Sequence, residues 1–115
     1  MPFDPISWAI IGFVVGALTV RFWEEIVEWA DRTFARILNT IDKVIYVVSD
    51  RVVYLVTGES GVYEKRMEVY SQSVNTGQFN RNVVSEPVPA SEVPYDIRQQ
   101  VDEQRKVRIL QDKSK

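Results

Sequence analysis

The stretch WAIIGFVVGALTVRFWEEIVEWADRTF, residues 8 to 34, constrains this chain more than any other. It begins as an apolar run and ends as a charged amphipathic pattern, with no proline or turn residue between them. Ile6 to Phe22 carries no charged side chain before Arg21. That is the short end of what crosses a hydrocarbon core of roughly 30 Å, and it reads as a transmembrane helix over residues 6–22. Trp8 and Trp23 stand at the two ends, where indole rings anchor at membrane interfaces, and Arg21 is placed to snorkel to the headgroups. A cleaved signal peptide fits poorly, because Met-Pro-Phe-Asp-Pro ahead of the run holds an acid and no base. A retained anchor is therefore expected, after a short tail of residues 1–5. All 14 Lys and Arg follow residue 20. The positive-inside rule then places the N-terminus outside and the C-terminus in the cytoplasm.

Beyond the run, residues 23–56 predict one long amphipathic helix. At about 100° per residue, Ile26, Ala30, Phe34, Ile37, Ile41, Ile45, Val48, Val52 and Leu55 share a stripe. Glu24, Glu28, Asp31, Arg32, Asn39, Asp42, Lys43 and Asp50 lie opposite. The positions 26, 37 and 48 repeat at an eleven-residue period, which suits a nearly straight bundle. The segment KVIYVVSDRVVYLV, residues 43 to 56, is β-branched and aromatic, and by propensity alone suits a hairpin turning at Ser49 and Asp50. Helix is preferred because the stripe holds its phase through that point.

Gly12 and Gly16, with Ala9 and Thr19, project onto the face that continues as Trp23, Ile26 and Ala30. Small residues permit close helix approach in lipid, and the apolar stripe drives association in water. The expected assembly is an oligomeric helical bundle of an all-α protein, with the bilayer and further copies of the chain as partners.

The remainder is less regular. Residues 57–84 form a small segment, either a helix over 60–77 or a hairpin with a second arm at 78–84, with a slight preference for helix. Residues 85–94 contain three prolines and read as a linker. Residues 95–115 read as a short amphipathic helix and tail, marginal alone and suited to a protein partner.

Composition bounds the chemistry. The chain has neither cysteine nor histidine, so disulfides, thiol nucleophiles and the commonest base and metal ligand are missing. A net charge of -2 with scattered bases provides no field for nucleic acid. No phosphate loop, serine elbow or metal spacing is present, so no enzyme, cofactor or metal centre is expected. The acids Glu24, Glu25, Glu28 and Asp31 read as a solvated helix face. Arg51, at the stripe's edge, either snorkels out or pairs with an acid of a neighbouring chain. The expected function is a membrane-anchored, self-associating scaffold. The alternatives are an oligomeric pore or tube and a single-span accessory subunit of a larger complex; a helix lying on the membrane surface is weaker still.

Overall fold

The helical periodicity holds from Val20 to Thr40 and no further. The computed structural model describes residues 8–13, 16, 19–42, 44–57 and 62–112. Strand β1 (Trp8–Ile10) is followed by helix α1 (Val20–Thr40), strands β2 (Tyr46–Thr57), β3 (Tyr63–Ser73) and β4 (Phe79–Val88), helix α2 (Tyr95–Gln104) and strand β5 (Lys106–Asp112). A short 3-10 turn at Ala90–Glu92 leads into α2. The strands make one sheet in the order β1-β5-β2-β3-β4, every neighbouring pair antiparallel.

α1 buries Phe22, Trp23, Ile26, Val27, Trp29, Ala30, Thr33 and Ile37, a stripe recurring every three or four residues. Each large apolar side chain on that stripe contributes about 1.5–3 kcal/mol of burial, so packing and not intrinsic propensity holds the helix. It ends because the next residues offer the backbone better partners. Thr40 Oγ1 donates to the Ile37 carbonyl at 2.7 Å. Ile41 is extended, and Asp42 accepts through Oδ1 from the Val44 N–H at 3.0 Å. Its carbonyl also accepts from the N–H groups of Ile45 and Tyr46. This is an aspartate-nucleated turn, and it delivers the β-branched run into β2.

Both helices lie on one face of the sheet. Lys65 of β3 stacks over Trp29 of α1, Arg51 of β2 over Phe34 of α1, and the Tyr63 hydroxyl of β3 donates to Asp102 of α2 at 2.6 Å. Side chains alternate along strands, so Val53, Leu55, Met67 and Val69 point to the helices and join Ile97, Val101, Val107, Ile109 and Leu110 in one core. Glu68, Tyr70 and Tyr54 point the other way.

Ser49 is a bulge and not a hairpin tip. The register slips between Val48 and Asp50, and Ser49 Oγ donates to the Tyr70 carbonyl. The β3–β4 hairpin turns on Gly77, which sits at φ 71 and donates its N–H to the Ser73 carbonyl. Arg105 also takes a positive φ, 71°, between α2 and β5, with its N–H bonded to Val101 at 2.7 Å. An arginine there is strained where glycine would not be. Arg105→Gly is expected to raise stability by about 1 kcal/mol, read as a higher urea midpoint with an unchanged slope; a lower midpoint contradicts the strain.

These observations correct several expectations. The fold is mixed α/β and not an all-α bundle. Among the described residues no helix is long and apolar enough to cross a membrane. α1 itself bears Arg21, Glu24, Glu25, Glu28, Asp31, Arg32 and Arg36. The expected span over 6–22 is interrupted by strand β1, which pairs with β5 through Trp8↔Asp112 and Ile10↔Leu110. Residues 6, 7, 14, 15, 17 and 18 of that span lie outside the described residues. The bilayer as partner, the single-pass placement with the N-terminus outside, and the scaffold, pore and accessory-subunit functions all rested on that span and lose their support. The stripe that was to zip a homo-oligomeric bundle ends as a helix at Thr40. Of the segment 60–77, for which helix was preferred, residues 63–73 form β3 and residues 74–77 the turn toward β4, while residues 60 and 61 lie outside the described residues.

Candidate functional site

The residues expected to form one helix–helix face are dispersed by the sheet. Trp23, Ile26, Ala30 and Ile37 are buried on α1 against the strands of the same chain, and Phe34 and Ile41 pack at the margin of that core. Ile45 lies in the turn before β2. Val48 and Leu55 face the helices, whereas Val52 faces the opposite side, because strand alternation separates positions that a helical wheel superposes. Ala9 sits on β1 opposite Gln111. Gly12, at φ 79, and Gly16 are exposed, and a Cβ at either would meet nothing within 4 Å among the described residues. Thr19 caps a loop, exchanging bonds with Gly16 N–H and carbonyl at 3.0 and 3.1 Å.

The expected membrane anchors serve the core or the surface. Trp23 is 1 % exposed and meets the rings of Phe13 and Phe22. Arg21 is exposed and pairs with Glu25 at 3.2 Å. Trp8 is 2 % exposed, and its Nε1 donates to Asp31 at 2.8 Å. Arg51 stacks on Trp8 at 4.2 Å and on Phe34 at 4.4 Å, and meets Asp112 at 3.4 Å. Its acid partner thus belongs to the same chain, and this cluster ties the first strand to the last.

On the helix-free face, Glu68 is the only buried acid among the described residues. The Tyr70 hydroxyl donates to it at 2.6 Å, and Lys106 and Arg81 approach at 3.4 and 3.6 Å. Burial is the largest single influence and pushes its carboxyl up. The Tyr70 bond and the two cations together outweigh it and hold the group below the ordinary range. The same bond raises the Tyr70 phenol, and the Asp102 bond, helped by burial, raises that of Tyr63. A carboxylate held ionised and already matched by donors suits structure better than proton transfer.

The site with unmet chemistry lies at the other edge of the sheet. β4 is the edge strand there, and among the described residues nothing pairs with its outer side. Long bare edges invite another strand, and proteins that avoid pairing shorten or charge them. β4 runs ten residues and presents Phe79 at 65 % and Val83 at 43 % exposure beside the single cation Arg81. Pro87 removes one donor near its end.

Along this edge the second half of α1 forms the wall of a groove of about 280 Å³. The helix contributes Thr33, Arg36, Ile37 and Thr40, spaced as one face, and β4 contributes Asn82, Val83 and Val84. Asn82 and Val84 stand opposite Val69 and Met67 of β3, on the helix side. Two polar atoms of these lining residues, Thr33 Oγ1 and Asn82 Nδ2, are buried without a hydrogen-bond partner among the described residues. Such orphans are rare in folded proteins, because each forfeits its bonds to water.

Comparison of the chain with protein-family models, curated proteins and solved structures finds no match. No motif announces the groove. Thr33 reads from sequence as one polar position on an amphipathic helix, and Asn82 as part of a polar hairpin arm. Only the packing of α1 beside β4 brings them together.

Proposed function

We propose that this chain is a non-catalytic protein-interaction domain that captures an extended segment of a partner protein as an additional strand beside β4. The unpaired ten-residue edge, with its exposed Phe79 and Val83, carries this proposal. Strand addition obtains affinity from main-chain hydrogen bonds and selectivity from pockets that take alternate side chains. β4 offers the first along its edge, and the α1 groove offers the second. Phe79 and Val83, on the opposite side of the strand, would pack across to the guest's other side chains. The absence of histidine and cysteine from the whole sequence, together with a buried acid already satisfied on the open face, favours binding over catalysis.

The test pans a phage-displayed random peptide library against the full chain. Enriched peptides are expected to slow amide hydrogen exchange within residues 79–86. N-methylation at alternate peptide positions should abolish binding in one register and spare it in the other, since only every second residue bonds across an antiparallel pair. Absence of enrichment, protection confined to another surface, or indifference to N-methylation would overturn the proposal.

A further inference from the structure

We infer that the α1/β4 groove receives a carboxylate side chain, Asp or Glu, from the middle of the captured segment; this rests on the strand-addition proposal and names the chemistry of its guest. Thr33 is 1 % exposed with its hydroxyl unpartnered, and the buried Asn82 amide N–H is unpartnered as well. Arg36, one helical turn from Thr33, is exposed at the same groove and forms no ion pair among the described residues. All three groups can donate. A guanidinium has no lone pair to offer, and an amide nitrogen accepts no hydrogen bond.

A carboxylate is acceptor-only and takes up to about four such bonds, which are stronger when one donor is charged. It would meet Arg36 in a site partly shielded from water and, as the side chains that cover them give way, satisfy both orphans. A Lys or Arg guest would bring further donors and like charge, and an aliphatic guest would leave both orphans unmet. Ile37 and Val84 supply apolar wall for the methylene portion of the side chain. The groove abuts residues 82–84, with free edge on both sides of it within β4. A guest strand therefore runs past it, which favours a side chain over a terminal carboxylate.

The experiment takes a synthetic peptide selected by the panning above and measures its affinity by fluorescence polarisation. Exchanging its conserved acid for the matching amide is expected to weaken binding at least about tenfold, as for loss of a charged hydrogen bond. Arg36→Gln should weaken the acidic peptide similarly while leaving the amide peptide unaffected, so that the two changes are coupled. Thr33→Val should weaken binding and raise the Tm by a few degrees, about 3 °C, because it removes a buried unsatisfied hydroxyl. Arg32→Gln, on α1 outside the groove, should change neither. Selected peptides without an acid, or equal affinity for acid and amide, would overturn the carboxylate pocket even if β4 is protected from exchange. Loss of binding on C-terminal amidation, with no effect of the internal exchange, would overturn the side-chain assignment. Protection away from β4 would remove strand addition and the pocket together.

Discussion

Trp8→Ala is expected to cost about 3–5 kcal/mol of unfolding free energy, the range for deleting a large buried aromatic. Three losses coincide at this position. The indole is 2 % exposed, so its removal leaves a cavity in the layer between α1 and the β1–β5 pair. Its Nε1 bond to Asp31, the link from the first strand to the helix, disappears. Arg51 loses one of the two rings on which it stacks. Guanidinium–ring stacking out of water contributes up to about 2 kcal/mol, so burial remains the larger part. Trp8→Phe separates the terms: it keeps a ring and loses the hydrogen bond, and should cost about 1 kcal/mol. Chemical denaturation at neutral pH reads both values. A loss below about 1 kcal/mol for Trp8→Ala would show that residues 8–10 contribute little to the sheet in solution.

The acid limb of stability should belong largely to Glu68. Its carboxyl titrates below the ordinary 4.5 in the folded chain. Its contribution is therefore complete above the unfolded pKa and is lost as pH falls through the folded one. Among the groups that hold it ionised, exposure decides the ranking. Lys106 is 45 % and Arg81 60 % exposed, so both attractions are screened, whereas the Tyr70 bond is short and part-buried. Glu68→Gln is expected to cost about 2 kcal/mol at pH 7, the loss of charge-assisted hydrogen bonds. It should also flatten the decline of stability below pH about 4.3. Tyr70→Phe should weaken the chain more than Lys106→Met does. A Glu68→Gln variant whose urea midpoint falls with acid as steeply as the parent's would assign the limb to other carboxylates.

Much of α1 is legible in the sequence, because a helix packed on a sheet and a helix in a bundle write the same stripe. Phe22, Trp23, Ile26, Ala30 and Ile37 are buried by either route. What misled was continuation. From Ile41 to Leu55 apolar residues happen to fall near the helical phase, yet the segment is β-branched, as β2 requires, and Asp42 breaks the helix with an aspartate turn. Val52 and Leu55 then occupy opposite faces, which no helical wheel represents. The membrane reading fails because the sheet covers the described apolar residues at the start of the chain. Trp8, Phe22 and Trp23, assigned there to the membrane segment and its interfaces, share a core with Val53, Leu55, Met67, Val69, Val107, Ile109 and Leu110 once the strands align.

The candidate site was almost wholly illegible. Thr33 and Asn82 are far apart in the chain, and neither belongs to a motif. Their common property, a buried polar atom without a partner, arises only from how α1 settles beside β4. The sequence by itself determined the amphipathic pattern that α1 uses from Trp23 to Thr40, the β propensity of 43–56 and the lack of histidine and cysteine chemistry, since each depends on local periodicity or composition. The tertiary structure alone decided that Trp8–Ile10 join a sheet, that Arg51 finds an acid at Asp112, and that the outer side of β4 has no partner among the described residues. Strand order and edge identity are set by long-range pairing, which no local pattern in the chain encodes.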